Sequence, residues 1–256
     1  MRNGSIRIEQ ETHPKVVVII SANAEWDVVL ECFPGQDCQP SPYGQWLQVR
    51  FPSAYGAEQT MRSSQTTQPS TTAIFLHGGW GKIAAAGSTQ YAIDRWQPRL
   101  LVNLGTCGGF AGQVKRGEII LAEKTQVYDI FEQMGDPIEA IAYYTTEIDL
   151  SWLREPYPQP VRRSLLVSAD HDLLPADLLI LRSQYAAVAG DWESGAIAYV
   201  AARNRIPTLI LRGVTDLVTD EGGEAYGNID LFHQASREIM RGLIAALPAW
   251  LRAADF

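Results

Sequence analysis

Apolar and polar positions follow one another along the chain in a pattern that predicts alternating strands and helices. The β-branched run KVVVIIS at 15–21 is typical of a parallel strand covered on both faces. Shorter apolar runs predict further strands at 46–51, 73–77, 100–105, 119–122, 165–168 and 208–211. Helical spacing predicts helices at 24–33, 83–96, 175–185 and 194–203. This order predicts an α/β fold in a single domain, with a central mixed twisted β-sheet flanked by helices.

The end of the chain has the longest amphipathic pattern. From Asp230 onward, apolar residues recur every four positions, at 231, 235, 239, 243, 247 and 251. Pro248 is expected to kink this helix or end it early. The polar stretch 53–72 is expected to form a mobile hairpin or loop. No repeat or Pro/Gly-rich linker divides the chain, so we assign 15–256 to one domain and 1–14 to an N-terminal extension.

Composition narrows the class of protein. The 256 residues carry a formal net charge of −8 and show no basic stripe, which argues against nucleic-acid binding. The apolar runs are too short to span a bilayer, and the N-terminus lacks an apolar region of the signal-peptide type. Cys32, Cys38 and Cys107 form neither a disulfide framework nor a metal spacing. We therefore expect a cytoplasmic protein with no membrane partner, no metal and no cofactor.

Two acidic motifs, GDWESGA at 190–196 and RGVTD at 212–216, follow short apolar runs. Glu193 and Asp216 are thus expected where strands end, which is where open α/β sheets bind ligands. Two carboxylates from separate strands suggest acid–base chemistry on a small polar molecule. The alternative is that Asp191 and Glu193 merely stabilise the N-terminus of the next helix.

Two glycine runs, at 78–82 and 105–109, also follow predicted strands. Glycines there let the backbone approach a ligand closely, which makes Gly79 a candidate binding residue. Neither run has the spacing of a dinucleotide fingerprint or a P-loop. Ordinary tight turns between strand and helix are the alternative for both runs.

The order of these segments resembles the nucleoside phosphorylase superfamily, most closely the branch that hydrolyses 5′-methylthioadenosine and S-adenosylhomocysteine. The matching segments are ISANAE at 20–25, GGWGKIAAA at 78–86, VNLGTCGGF at 102–110, KRGEI at 115–119, DWESGAIAYV at 191–200 and RGVTDL at 212–217. The resemblance covers about four-fifths of the chain in register, from residue 16 to residue 218.

The resemblance implies roles for three carboxylates. Asp216 matches the acid that protonates purine N7, and Glu193 matches the residue that holds the ribose hydroxyls. Glu25 is the candidate base for the attacking water if the Ala-Glu pair is the anchor. Aligning the preceding strand instead places Trp26 at that position, and an exposed first-turn glutamate is the structural alternative for Glu25.

Further binding residues follow from the same match. Thr106 matches a small hydroxyl residue that contacts the nucleophile or ribose, with turn chemistry as its alternative. Trp192 occupies the position of an apolar residue under the ribose, although it could equally be core. Arg212 is expected to brace the carboxylates.

The chain departs from the family pattern at SADHDL, 168–173, where an aromatic or apolar residue usually stacks on the purine. His171 and Asp172 stand there instead. Either the base differs from adenine, or the loop is displaced and Leu173 or Leu174 stacks on it. Residues 131–160 should line the 5′ end of the pocket but match no pattern.

The resemblance implies hydrolysis of the N-glycosidic bond of a purine nucleoside or 5′-substituted adenosine. The glycine run 78–82 and residues 21–26 contain no arginine to hold phosphate, which favours water as nucleophile. The alternatives are a phosphorolytic enzyme and a non-catalytic nucleoside-binding or storage relative. Apolar residues beyond one stripe at 83–96 and 230–251, including Trp96 and Trp250, predict a homodimer. The family's dimers imply a partner loop that closes the 5′ end of the pocket.

Overall fold

The computed structural model describes residues 15–52 and 70–256, in which it has eleven strands and six helices. The strands are β1 (Val16–Ile20), β2 (Gln39–Ser41), β3 (Gly44–Pro52), β4 (Ser70–His77), β5 (Leu100–Phe110), β6 (Ile119–Val127), β7 (Thr145–Glu147), β8 (Arg162–Ser168), β9 (Ala189–Asp191), β10 (Thr208–Thr219) and β11 (Gly222–Gly223). The helices are α1 (Asn23–Cys32), α2 (Lys82–Trp96), α3 (Pro137–Tyr143), α4 (Pro175–Tyr185), α5 (Ser194–Arg203) and α6 (Ile229–Ala253). The predicted α/β fold with a central mixed sheet is confirmed.

The strand β1 lies in the interior of the sheet. It pairs in parallel with β4 on one side and with β5 on the other. All five of its residues are fully buried, as its continuous apolar run predicts. Beyond β4 the sheet continues through the antiparallel strands β3 and β2.

On the other side of β1, five strands close into a ring. The strand β5 pairs with both β9 and β10, and β10, β6, β8 and β9 complete the circuit. The pattern of apolar runs predicts a mixed sheet but not this closure, because closure depends on pairings between distant strands. The ring brings the carboxyl-terminal parts of β5, β8, β9 and β10 together.

Helices cover both faces of the sheet. The helices α1 and α6 pack on one face with the alternate residues of β1 that include Val16 and Val18. The helices α2 and α5 pack on the other face with Val17 and Ile19. Among the described residues, no helix is long and apolar enough to cross a membrane.

The two tryptophans on which the dimer prediction drew lie in these cores. Trp250 is fully buried with α1 and β1, and Trp96 is 6% exposed beside Trp46 and Tyr91. Using them as interface residues was wrong, because their excess apolar surface is covered within the subunit. The strongly exposed apolar side chains lie elsewhere, and include Ile83, Phe131, Met134 and Ile138.

Most predicted elements are confirmed, and the helices at 175–185 and 194–203 have the predicted bounds. The prediction that Pro248 would end the last helix early is wrong. The helix α6 runs to Ala253, because Leu247, Trp250 and Leu251 are buried against the core and hold the last turn in place. The glycine run at 105–109 is not a turn, since β5 continues through it to Phe110.

Two predicted segments fall on residues outside those described. The N-terminal extension, 1–14, is one of them. The polar hairpin or loop at 53–72 is the other, except that its last three residues belong to β4.

Candidate active site

A cavity of about 550 Å³ opens at the carboxyl-terminal ends of β1, β8 and β9 and beside the carboxyl-terminal halves of β5 and β10. The loop before α6 forms its remaining wall. The lining residues are Ala22, Asn23, Ala24, Glu25, Trp80, Thr106, Cys107, Gly108, His171, Asp172, Leu173, Gly190, Asp191, Trp192, Glu193, Thr215, Asp216, Ala225, Tyr226, Gly227, Ile229 and Phe232. The predicted residues Glu25, Thr106, Leu173, Trp192, Glu193 and Asp216 are therefore together in one cavity.

Glu25 lies in the first turn of α1 and is 3% exposed. Its Oε1 accepts hydrogen bonds from the backbone N–H of Thr106 at 2.7 Å and from Thr106 Oγ1 at 2.8 Å. Burial raises the pKa of the Glu25 carboxyl above its usual value, while Arg212 and the Thr106 bonds act in the opposite direction. The strand β5 thus fixes the orientation of a carboxyl that faces the cavity.

Trp26, the alternative to Glu25, points elsewhere. Its ring stacks on His77, with 5.3 Å between centroids and 7° between planes. It is 4% exposed and belongs to the core on the α1 side of the sheet. The structure therefore brings Glu25, and not Trp26, to the cavity.

Arg212 lies fully buried behind the cavity among three carboxylates. Its Nε donates to Asp191 Oδ2 at 2.6 Å, and its Nη2 lies 3.9 Å from Glu193 Oε2. A Cβ added to Gly105 would lie 2.1 Å from Arg212 Nη1 and 3.0 Å from Glu25 Oε1, so glycine is required where the arginine passes. Arg212 braces these carboxylates and does not itself line the cavity.

Asp191 contacts the N-terminus of the next helix, as the alternative reading expected, and it also contacts Arg212. Its two oxygens accept the backbone N–H of Ser194, at 3.1 and 3.2 Å, at the N-terminus of α5. The same carboxylate accepts Ser168 Oγ at 2.6 Å and Arg212 Nε. The motif at 190–196 indicated the helix contact, but the arginine contact comes from a strand 21 positions away.

Glu193 precedes α5 and is 8% exposed. Its Oε1 accepts the backbone N–H of Gly81 at 3.0 Å. Burial raises the pKa of Glu193 above its usual value, and the neighbouring charge of Asp191 adds to the effect. A carboxyl with these properties can present an oxygen to sugar hydroxyls while remaining firmly oriented.

Asp216 reaches the cavity because β10 contains an irregularity. The pairing of β10 with β5 shifts register between Val214 and Asp216, so Thr215 is an extra residue. Such bulges re-aim the side chains beside them. Asp216 is 5% exposed, and Thr215 Oγ1 lies 2.7 Å from its Oδ1. Burial raises the pKa of the Asp216 carboxyl above its usual value. A raised pKa favours the protonated form that a general acid needs.

The departure from the family pattern at 168–173 lies at one end of the cavity. Leu173 is buried and lines the cavity, whereas Leu174 is 48% exposed and precedes α4. His171 and Asp172 also line the cavity, and His171 packs edge-on against Tyr128. The geometry makes Leu173 the apolar contact at this end. Tyr226, which the sequence analysis missed, donates its hydroxyl to the Leu173 carbonyl at 2.7 Å.

Trp192 lines the cavity beside Glu193, and its ring lies 5.5 Å from that of Trp80. Trp80 is 61% exposed, so the pair stands at the mouth of the cavity. Gly79 lies in the same loop with a φ of +78° but does not line the cavity. It permits the turn that carries Gly81 to Glu193.

Among the described residues, none of those that line the cavity is a lysine or an arginine. Within residues 15–52 and 70–256 there is also no group of three or more His, Cys, Asp or Glu placed to hold a metal ion. The segment 131–160, expected at the 5′ end, contributes no lining residue within this subunit. Its β7 pairs with β6, and Tyr143 and Tyr144 pack on Tyr199 of α5.

Comparison with known proteins agrees with this geometry. The model of the family described as "Phosphorylase superfamily" matches residues 65–248. The 5′-methylthioadenosine/S-adenosylhomocysteine nucleosidase of Haemophilus influenzae (strain PittEE) is 28% identical over 61% of this chain and 71% of its own length. The enzyme of the same name from Actinobacillus succinogenes is 26% identical over 68% of this chain and 81% of its own.

Solved structures share the fold. The Streptococcus pneumoniae MTA/SAH nucleosidase in complex with 8-aminoadenine superposes with a TM-score of 0.68 at 18% identity, covering 93% of this chain and 99% of its own. The nucleosidase from Helicobacter pylori with butyl-thio-DADMe-Immucillin-A gives a TM-score of 0.71 at 14% identity, with coverage of 93% and 99%. The resemblance inferred from the sequence motifs is confirmed, and the chain belongs to the phosphorylase superfamily.

Proposed function

We propose that this protein hydrolyses the N-glycosidic bond of a 5′-substituted adenosine of the methylthioadenosine/S-adenosylhomocysteine type, releasing the free base and a ribose sugar. The observation that carries the proposal is the convergence of Glu25, Glu193 and Asp216 on one cavity without a cationic lining residue among those described. The relatives named above are nucleosidases of this class.

Asp216 and Glu25 are suited to opposite ends of the bond. Departure of a purine leaves an oxocarbenium-like sugar, so the reaction needs a proton donor for the base and a general base for water. Asp216, with its raised pKa, protonates the base, and Glu25 removes a proton from the water. Thr106, which holds Glu25, and Gly108, which pairs with Asp216, are two residues apart on β5. Both carboxyls line the same cavity, as acid and base on either side of one bond must.

Glu193 and Trp192 are suited to hold the sugar. The Gly81 N–H occupies Glu193 Oε1, and Oε2 lies on the side of Arg212. A fixed carboxyl can accept hydrogen bonds from vicinal hydroxyls, and the indole face of Trp192 supplies apolar contact. Leu173 supplies the apolar contact at the base end, with His171 and Asp172 beside it.

The charges around the cavity favour water over phosphate. Five carboxyl groups line it, from Glu25, Asp172, Asp191, Glu193 and Asp216. Phosphate binding requires cationic donors, which the described lining lacks, and carboxylates repel an anion. Hydrolysis therefore fits the cavity better than phosphorolysis.

The experiment is a panel of nucleosides incubated with the protein in phosphate-free buffer, with products separated by chromatography. The panel contains methylthioadenosine, S-adenosylhomocysteine, adenosine, inosine, AMP and futalosine. We expect adenine and free sugar from the 5′-thio nucleosides. A strict requirement for phosphate, or a ribose 1-phosphate product, would contradict the proposal. Absence of cleavage across the panel would favour a non-catalytic relative.

We further propose a homodimer in the cytoplasm, with one domain over 15–256 and an N-terminal extension over 1–14. The charge of −8 and the absence of a spanning helix among the described residues fit this assignment. Exposed apolar side chains support the dimer, namely Trp80, Ile83, Phe131, Met134 and Ile138.

A further inference from the structure

Three loops meet in a cluster of charged side chains outside the cavity, and two of them, before α2 and after β8, also contribute lining residues. Lys82, the first residue of α2, lies between Asp129 and Asp170. Asp129 follows β6, and Asp170 follows β8. The Lys82 and Asp129 side chains are only 19% and 16% exposed. None of these three residues is among the described residues that line the cavity.

The cluster is closed by hydrogen bonds to backbone groups as well as by charge. Lys82 Nζ contacts both carboxylate oxygens of Asp129 and lies 3.6 Å from Asp170 Oδ2. Asp170 Oδ1 accepts the backbone N–H of Lys82 at 2.7 Å, and Asp129 Oδ2 accepts the backbone N–H of Asp170 at 3.0 Å. Each member of the cluster therefore fixes another member's position.

The helix α2 depends on this arrangement for its N-terminus. Its N-cap residue is Gly81, which has no side chain to cap the first turn. Asp170 accepts a first-turn N–H from 88 positions away, and a carboxylate at a helix N-terminus is favourable. The loop before α2 is thus attached to the loop after β8.

Both loops act on the cavity. Gly81 N–H is the donor that orients Glu193, and Gly81 directly precedes Lys82. Asp170 directly precedes His171, Asp172 and Leu173, which line the cavity where the proposed function places the base. The cluster therefore connects the donor that orients Glu193 to the wall that receives the base.

We infer that Lys82 is a positioning residue, which sets the distance between Glu193 and the base end of the cavity through its contacts with Asp129 and Asp170. This inference rests on the proposed function. Without the ammonium group, the partly buried carboxylates of Asp129 and Asp170 repel each other, and the loop after β8 shifts relative to Gly81 and Glu193. A displacement of about 1 Å at groups that orient a substrate lowers a rate by as much as about 10²-fold.

The test compares Lys82→Met with Lys124→Met in kcat, KM and adenine binding. Lys124 pairs with Glu147 at 2.7 Å and does not line the cavity, so Lys124→Met controls for the loss of an ion-paired lysine elsewhere in the protein. We expect Lys82→Met to lower kcat/KM by roughly 10- to 100-fold and to weaken adenine binding. Lys124→Met should keep wild-type values. Asp170→Asn, which retains an acceptor for the Lys82 N–H, should lose less than Lys82→Met.

The inference is overturned if Lys82→Met keeps wild-type kcat/KM and adenine affinity well below its melting temperature, even with lowered stability. If Lys82→Met does not fold, the inference is overturned when Asp170→Asn and Asp129→Asn both keep the wild-type kcat/KM and adenine affinity. The wild-type protein provides the separate test of the proposed function. Nucleoside cleavage by the wild type, together with an unaffected Lys82→Met, rejects the role of Lys82 alone.

Discussion

At the scale of single residues, Asp216 is placed by one extra residue in a strand. The bulge at Thr215 directs the Asp216 carboxyl into the cavity, and burial raises its pKa. Asp216→Asn keeps the size of the side chain but cannot donate a proton. We expect turnover to fall by at least ~10²-fold. Thermal stability at pH 7 should be retained or increased, because the variant no longer buries an ionisable group.

The control for this variant is Asp220→Asn. The Asp220 side chain is 85% exposed, and its Oδ1 lies 3.7 Å from Arg182 Nη1. Steady-state kinetics and thermal unfolding of both variants make the comparison. Near-normal turnover in Asp216→Asn would rule out its role as the acid.

Glu193 gives a pH-dependent prediction. Asp191 and Glu25 are its negative neighbours, Arg212 is its positive neighbour, and burial raises its pKa. Because the pKa of Glu193 is raised in the folded protein, the contribution of Glu193 to stability is complete below its usual pKa of about 4.5. This contribution is lost as the pH rises through the raised pKa. Glu193→Gln removes this loss and keeps an oxygen for the Gly81 N–H.

We therefore expect Glu193→Gln to exceed the wild type in melting temperature by a few degrees at pH 8.5, and by less at pH 5. Glu147→Gln, at a side chain 73% exposed, should follow the wild type at both pH values. Scanning calorimetry at the two pH values is the measurement. A pH-independent difference would mean that the Glu193 charge is not destabilising.

The sequence predicts individual site residues better than their contacts. Glu25, Glu193 and Asp216 are recognisable because each stands in a short motif after an apolar run. The expectation that a strand ends before Asp216 is wrong, because β10 continues through it to Thr219 and pairs with β5 there. Because Trp26 is adjacent to Glu25, the sequence alone did not decide which of the two matches the family's base. A shift of one residue in the alignment of the preceding strand exchanges them. The cluster of Lys82, Asp129 and Asp170 could not be predicted, because its contacts join residues 41, 47 and 88 positions apart.

At the scale of elements, the strand β5 shows how packing overrides a local signal. Its glycines at 105, 108 and 109 are typical of a turn, but a side chain from elsewhere in the fold approaches each of them, most closely at Gly105 and Gly109. Leu173 approaches Gly108, and Arg212 approaches Gly105. The run therefore extends the strand, and it provides space beside the cavity.

Gly105→Ala tests this explanation. Its added methyl group would lie 2.1 Å from Arg212 Nη1, and the buried arginine would have to move away from its carboxylates. We expect destabilisation of about 1–3 kcal/mol or more, together with a large loss of turnover. Urea unfolding and kinetics measure the two effects.

Gly242→Ala is the matched control. Gly242 lies in α6 with no atom within 4 Å of an added Cβ, so the same substitution should stabilise the protein by roughly 0.5–1 kcal/mol. Equal effects of the two substitutions would contradict the packing explanation. The tendency of proline to end a helix is likewise overridden at Pro248, because the last turn of α6 is buried.

At the scale of the whole molecule, several large apolar side chains are strongly exposed on α2 and on the segment after β6. Ile83 is 88% exposed, Phe131 85% and Met134 99%. The contact of Lys82 with Asp129 brings the start of α2, which includes Ile83, to the start of the segment that carries Phe131. Single exposed apolar residues are common, but a group of this kind marks an interaction surface.

A two-fold dimer through this surface would place residues 131–138 of one subunit near the cavity of the other. This arrangement explains why that segment lines no part of its own subunit's cavity among the described residues. We expect a homodimer by light scattering at micromolar concentration, with an interface above ~1,000 Å². Ile83→Glu should produce monomers with reduced turnover, because it places a charge in the apolar contact.

Leu179→Glu is the control, since Leu179 is 75% exposed and lies on α4 instead of α2 or the segment 131–138. The Leu179→Glu variant should remain dimeric and fully active. Phe131→Ala should also remain dimeric, but it should raise KM for 5′-substituted nucleosides more than for adenosine. The reason is that only the substituent at the mouth of the cavity would reach the partner's segment. A wild-type monomer with full activity would reject both the assembly and the shared cavity.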